Sequence, residues 1–289
     1  MEAEYVDVDL PAARLAEWRQ TLLGRWAKSA IRFLTAIDPT TKRKDGKPSF
    51  VWVTTDEREK GEASEKPFPT WAYIGQVFGL FNRNDVCGIQ KSRQVFMTTA
   101  TLAYAFHLAA FHKNQKVQLS KATQEEAEIL LEEKIRVPYS RMPPWIQEAL
   151  EISDKPAKRI SFRSTATPRV HSSRSTIEAI AQNAAVRSLR GGTTSLLIID
   201  EAALQDHLSA MLRAAAPMAA RIICLTSADG GEAGGEAFVN FFECSPEAMK
   251  RLKPLPLPLD DLNEAHEYGV SPENWMRDES VIAQAIKEL

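Results

Sequence analysis

Leu15, Trp18, Leu22, Trp26, Ala30 and Phe33 recur at steps of three and four residues. That spacing lays one apolar stripe along a helix and predicts an amphipathic helix ending near Pro39. Residues 38–67 are polar and carry a basic cluster at Lys42, Arg43, Lys44 and Lys47. One short strand from Phe50 to Val53 is expected within them. A helix from Trp71 to Phe81 precedes a strand from Val86 to Gln90. An Ala- and Leu-rich helix from Thr98 to Lys113 then leads to a strand from Lys116 to Ser120. Thr123 and Glu126 have the spacing of a capping box and open a helix reaching Ile135. Residues 137–158 contain four prolines and read as a connection with one short helix. Residues 159–182 alternate apolar and polar side chains, as hairpin strands do. A strand from Leu196 to Asp200, a helix to Ala214 and a strand from Arg221 to Ser227 complete the periodic part.

Strands alternating with helices predict an α/β fold with a mostly parallel sheet covered on both faces. Beyond Ser227 the pattern changes to the glycine-rich stretch ADGGEAGGEA, and Pro254, Pro256 and Pro258 mark a boundary. The expected organisation is one domain over residues 1–245, with residues 1–38 as an N-terminal helical segment. A small helical lid or linker subdomain follows at 246–289.

Composition narrows the class. The chain has 289 residues, 44% hydrophobic and 26% charged, the balance of a globular protein with room for one large domain. No apolar run approaches the roughly 20 residues that span a bilayer. The opening MEAEYVDVDL lacks the basic-then-apolar layout of a secretory leader. Cys87, Cys224 and Cys244 are far apart and show no zinc spacing, so they read as reduced core thiols. The net charge of −2 excludes a constitutively basic nucleic-acid binder. The charge is uneven, however: residues 151–190 carry eight Lys/Arg against three Asp/Glu, and residues 228–289 five against thirteen. A basic middle and an acidic tail suit a transient grip on a polyanion or contacts between subunits, or simply two solvated faces.

The chemistry concentrates at Leu196–Ala202, LLIIDEA. Four apolar residues mark a strand buried on both faces, and the carboxylates of Asp200 and Glu201 follow at its carboxyl end, where ligands bind in open α/β sheets. An acidic pair in that place can hold Mg²⁺ beside a nucleotide (Asp200) and polarise an attacking water (Glu201). Acids favoured by a helix dipole are the plainer alternative. Upstream, Lys91-Ser92-Arg93-Gln94-Val95-Phe96-Met97-Thr98-Thr99 lies between a predicted strand and a predicted helix, where backbone N–H groups can meet phosphate oxygens. The signature GxxxxGK[ST] is absent, since Phe96 and Met97 stand where the glycine and lysine belong. Lys91 and Arg93 can supply the charge earlier in the loop, and Thr98 can offer its hydroxyl to Mg²⁺. A basic turn capping a helix is the other reading of the segment.

In order and spacing these segments resemble the ATPase domain of the large terminase subunits of tailed double-stranded DNA phages. Those motors often carry a deviant phosphate loop, K-S/A-x-R-x-G-x-S or x-S-R-Q-x-G-K-T, and KSRQVFMT is similar to a blend of the two. Leu189-Arg190-Gly191 resembles the Arg-Gly before the family's acidic strand, and Leu225-Thr226-Ser227-Ala228 its coupling motif. The likeness runs from Pro69 to Ser227, and Phe96 in place of the loop glycine is its main departure.

The resemblance implies an α/β P-loop NTPase of the ASCE type that binds ATP and Mg²⁺ and hydrolyses ATP to translocate double-stranded DNA into a procapsid. It implies Arg190, with Arg187 as a rival, as an arginine finger acting on a neighbouring subunit. Thr226 and Ser227 would sense the γ-phosphate, and Trp71 and Tyr73 are candidates to stack on adenine. It further implies a ring on the procapsid formed from monomers, contacts with portal protein and small terminase subunit, and action in the cytoplasm of the infected host without a membrane. Arg159, Arg163, Arg169, Arg174 and the Lys42–Lys47 cluster are candidates for sequence-independent phosphate contacts to DNA. The family's nuclease domain has no counterpart in these residues, so the motor half is expected. A helicase-like ATPase of another role, or a degenerate nucleotide-binding scaffold for assembly, remain the alternative readings.

Overall fold

The computed structural model describes residues 5–36, 38–43, 52–57, 62–69, 71–91, 96–153, 156–162, 175–190, 192–227 and 238. In chain order the first elements are β1 (Tyr5–Asp7), α1 (Ala12–Trp26), α2 (Ala30–Leu34), β2 (Thr41–Arg43), β3 (Trp52–Glu57), β4 (Glu62–Pro67), α3 (Ala72–Arg83) and β5 (Val86–Lys91). They continue with α4 (Met97–Phe111), β6 (Lys116–Lys121), α5 (Gln124–Leu131), a π turn (Glu132–Arg136), α6 (Val137–Ser140) and α7 (Pro144–Ala149). The last are β7 (Arg159–Ser161), β8 (Thr176–Ala181), α8 (Gln182–Arg190), β9 (Leu196–Ile199), a 3₁₀ turn (Ala202–Leu204), α9 (Leu208–Ala215) and β10 (Ile222–Ser227).

Six strands form one sheet in the order β5-β10-β9-β6-β8-β7. All neighbours are parallel except the edge strand β7, which runs antiparallel to β8. The sheet is covered on both faces: β9 is apolar at every position, and β10 is apolar from Ile222 to Leu225. In β9, Leu196 and Ile198 face one core and Leu197 and Ile199 the other. β10 divides in the same way, with Ile223 and Leu225 on the first side and Ile222 and Cys224 on the second. Each fully buried Leu or Ile contributes about 1.5–3 kcal/mol. The larger core joins the sheet to α1 to α4 and to the α5–α7 region, and the smaller joins it to α8 and α9. Cys87 and Cys224 are buried free thiols, and burial pushes the Cys87 pKa up to about 12.

Several elements differ from the sequence expectation, each for a local reason. The first helix is interrupted: the Ser29 side chain accepts the Arg32 N–H and starts α2 as a separate helix. The apolar stripe continues across that break, which is why periodicity alone joins the two. The polar region 38–67 contains a full hairpin, β3–β4, rather than one short strand. The predicted capping box is present in full on α5. That helix does not stop at Ile135 but passes through the π turn into α6. There the buried Arg136 guanidinium donates to the carbonyls of Ser153, Pro156 and Arg159 and pins the following connection. Of the expected hairpin strands, β7 and β8 pair antiparallel. The glycine-rich stretch, the triple-proline boundary and the helical lid or linker at 246–289 lie outside the described residues.

The N-terminal segment is tied to the domain by the buried carboxylate of Asp38. It accepts the Thr40 N–H and hydroxyl at 2.8 and 2.7 Å, the Thr41 hydroxyl, and the Trp145 indole N–H at 2.8 Å. No helix among the described residues is long and apolar enough to cross a membrane.

Candidate active site

The parallel strands bring five predicted or newly found polar residues to one edge of the sheet. Lys91 ends β5, Thr226 and Ser227 end β10, Asp200 follows β9, and Lys121 ends β6. The register sets Ser227 beside Lys91 and Thr226 beside Gln90. Asp200 lies two strand spacings from β5 and, by the register, two residues short of Lys91, a backbone separation of about 12 Å.

α4 closes the gap between the two predicted motifs. Its first turn carries Thr98, whose hydroxyl donates to Asp200 Oδ1 at 3.0 Å. Asp200 is almost fully buried, and its own N–H donates to the Ser120 carbonyl at 3.0 Å. Gln205, absent from the sequence-based candidates, fixes this corner. Its amide donates to the carbonyls of Asp200 at 2.7 Å and Ser120 at 3.3 Å, and its Oε1 accepts the Ser120 hydroxyl at 3.2 Å. The ends of β9 and β6 are thereby stapled together.

Two non-glycine residues adopt left-handed backbones at this edge. Phe96 (φ 60°) is the residue that caps α4, and Glu201 (φ 52°) follows Asp200. Phe96 therefore occupies the glycine-like conformation despite its bulk, at a cost of about 1–2 kcal/mol. Its ring meets Phe68 and Trp71 edge-on, with centroids at 5.5 and 5.9 Å. The left-handed turn at Glu201 reverses the chain directly after the strand and breaks the expected continuous helix. A 3₁₀ turn comes first, and α9 begins only at Leu208.

Lys121 is the described cation that meets the acidic pair. Its ammonium lies 2.6 Å from Glu201 Oε2 and 3.4 Å from Asp200 Oδ2. Burial alone lowers a lysine pKa. Here the carboxylates of Asp200 and Glu201 outweigh burial and hold Lys121 above its ordinary value. The sequence offered little signal for it, since a lysine closing KVQLSK reads as a solvated strand end. Thr226 accepts the Ala203 N–H at 3.1 Å and donates to the Ser227 carbonyl at 3.0 Å, so the expected sensor strand contacts the turn that carries Glu201.

Other candidates fall elsewhere. Trp71 and Tyr73 correct the adenine-stacking expectation: Tyr73 is fully buried, Trp71 nearly so, and the two rings stack on each other at 5.3 Å. Both are core side chains, so an adenine would need a different surface. Arg190 ends α8, which leaves the carboxyl end of β8 and runs back along the sheet. Its backbone is therefore at the opposite edge from Asp200 of the same chain. Arg187 is exposed on the same helix. Arg159 pairs with Glu178 at 2.8 Å on the edge strand, and Lys42 is exposed on β2. Ser92, Arg93, Gln94 and Val95 lie outside the described residues, as do Lys44, Lys47, Arg163, Arg169 and Arg174. Met97 and Thr99 are buried in the first turn of α4.

A hydroxyl at the N-terminus of α4 is thereby bonded to the carboxylate that follows β9, at the carboxyl edge of a mostly parallel α/β sheet. Among solved structures the fold is shared with the large terminase of bacteriophage HK97, with a TM-score of 0.51 and 12% identity over 87% of this chain and 54% of that one. This chain thus spans about half the length of the HK97 protein. Further matches are the ATPase domain of the Thermus phage P74-26 large terminase, with a TM-score of 0.42 and 18% identity over 61% and 69%. The large terminase of another thermophilic bacteriophage matches with a TM-score of 0.42 and 13% identity over 69% and 45%. No protein-family model matches the sequence, and no curated protein matches it.

Proposed function

We propose that this chain is the ATP-hydrolysing motor of viral genome packaging, driving double-stranded DNA into a procapsid. The hydrogen bond from Thr98 to Asp200 carries the proposal, because it joins the two segments that a nucleotide site needs. The fold likeness to the HK97 large terminase supports the same direction.

The hydroxyl of Thr98 and the carboxylate of Asp200 are hard oxygen donors that converge, a pair that suits Mg²⁺ arriving with phosphates and water. When bound, that ion would neutralise charge on the β- and γ-phosphates. The N-terminus of α4 directs backbone N–H groups and the positive end of its dipole at the phosphates. Lys91 and Arg93 add charge from the loop. Glu201 polarises the attacking water, and catalysis rests on positioning and charge neutralisation. Thr226 and Ser227 register loss of the γ-phosphate through the turn that carries Glu201. Arg190, remote from its own chain's acidic pair, acts on the neighbouring subunit of a ring, with Arg187 as the rival. DNA contacts are to phosphate and fall with salt. Portal protein and small terminase subunit are the expected partners, in the cytoplasm of the infected host.

Mg²⁺-dependent phosphate release from wild type, Lys91→Ala and Glu201→Ala tests this reading. A motor gives turnover in wild type that both substitutions abolish, and that rises with protein concentration as subunits associate. A scaffold gives no turnover from any of the three. The scaffold reading drew on Phe96 and Met97 in the phosphate loop. The left-handed backbone kept at Phe96 weakens that argument.

A further inference from the structure

We propose that two helical faces of opposite charge, one on α1 and one on α5, form the contact by which one copy of this chain docks onto another. The inference lies beyond the nucleotide site and stands or falls apart from it.

On α1, Arg14, Trp18, Thr21 and Arg25 are all exposed and follow one another at steps of four, three and four residues. That spacing sets them in one line along the helix, within a strip about 60° wide. Trp18 is 40% exposed, and the Arg14 guanidinium lies 5.8 Å from the centre of its ring. The strip flanks the side of the helix where Leu15, Leu23 and Trp26 are buried. Residues 12–34 carry five Lys/Arg against Glu17 alone, in a chain of net charge −2.

On α5 and the turn after it, Glu125, Ile129 and Glu132 repeat the pattern with the opposite sign. Ile129 is 49% exposed and stands between the two carboxylates at steps of four and three. Residues 124–133 hold five Glu and no Lys or Arg. The other side of α5 is fixed to the domain by buried Ala127 and Leu131.

The two faces match in charge and in spacing. Trp18 and Ile129 are two of the three large hydrophobic side chains left exposed among the described residues, and each is flanked by charges of one sign. With the helices side by side and parallel, and Trp18 against Ile129, Arg14 falls level with Glu125. Arg25 then lies about 6 Å along the axis from Glu132, within reach of its side chain. Among the described residues no ion pair engages Arg14, Arg25 or Glu125, and Glu132 remains 59% exposed beside Arg136. Every copy carries both faces, so a second copy supplies the complement of each. Two α1 faces, or two α5 faces, would set like charges together, which opposes those pairings. The faces are short, so the association is weak and depends on concentration.

The test is sedimentation velocity on the full chain up to about 100 µM. Wild type is expected to self-associate in that range. Arg14→Glu with Arg25→Glu makes both faces acidic, and Glu125→Lys with Glu132→Lys makes both basic. Each double variant alone should associate at least about tenfold more weakly than wild type. An equal mixture of the two should recover most of the loss, because the acidic α1 of one meets the basic α5 of the other. A folding defect would not be cured by mixing. Trp18→Ala leaves every charge in place and should also weaken association about tenfold. Wild type that stays monomeric, variants that associate as wild type does, or a mixture no better than its parts overturns the proposal. Loss of DNA-fragment binding in Arg14→Glu with Arg25→Glu, with self-association unchanged, overturns it as well and gives the α1 strip to a polyanion. Phosphate release by dilute protein reports on the nucleotide site separately, since none of these residues lies there.

Discussion

Thr98 and Asp200, separated by 102 positions in the chain, meet through a 3.0 Å hydrogen bond between hydroxyl and carboxylate. Replacing Thr98 by Val keeps the volume but removes the donor from a nearly buried carboxylate. Such a loss costs about 1–3 kcal/mol of stability, read as a lower midpoint in urea. Phosphate release should fall at least about a hundredfold, because the same hydroxyl would help hold Mg²⁺ beside the phosphates. Thr98→Ser keeps the donor and should retain most of both. A Val variant with wild-type turnover would remove Thr98 from the chemistry.

Glu201 has a separable role. Glu201→Gln keeps the side-chain size and an oxygen for Lys121, and removes the base. Hydrolysis is expected to fall by about 10²–10⁴, the usual worth of a general base, while nucleotide affinity stays within severalfold. Single-turnover phosphate release measured beside equilibrium binding distinguishes this from a binding defect. Loss of both together would make Glu201 a structural partner of Lys121 and no more.

How far the sequence showed this site depends on how local each signal is. Leu196 to Glu201 was legible because a doubly buried strand demands apolar residues at every position, and two acids then stand out at its end. Thr98 was legible through its place after a strand and before a helix. Lys121 and Gln205 were not, since each matters only because β6 pairs with β9, a contact made far along the chain. Trp71 and Tyr73 misled because an aromatic ring near a helix start looks the same in sequence whether it faces a ligand or the core. The expected strand Phe50–Val53 overlaps the start of β3, but β4 was missed because EASEKP is mostly polar and shows no clear alternation.

Phe96 offers a test of backbone strain that avoids the active-site chemistry. Removing the ring loses its contacts with Phe68 and Trp71, so both Phe96→Ala and Phe96→Gly should destabilise. The two lose nearly the same packing, yet only Ala keeps a Cβ at φ 60°. Phe96→Gly should therefore be more stable than Phe96→Ala by about 1 kcal/mol, against the usual order in which Gly is the worse residue next to a helix. Chemical denaturation of the two variants decides it. Equal stabilities would show that the loop relaxes once the ring is gone.

His107 sets a pH dependence remote from the site. It lies on α4, where its Nε2–H donates to the Trp26 carbonyl at 2.8 Å and its ring packs against Phe33 and Phe111. Burial pushes its pKa down to about 4. The Trp26 hydrogen bond works against that shift, and His112, itself lowered by burial, works with it. In the unfolded chain the imidazole titrates near 6.5, so between about 6.5 and about 4 the unfolded state binds the extra proton. Stability is then full above about pH 6.5 and is lost as pH falls through that window. Between pH 7.5 and pH 5 the His107 share of the loss is about 2 kcal/mol. Urea midpoints measured across this range should fall on acidification, and His107→Phe should flatten the curve while starting from a lower stability at pH 7.5. The Phe variant lacks the donor to Trp26 but also the group that must charge. An unchanged slope in that variant would assign the acid sensitivity to other residues.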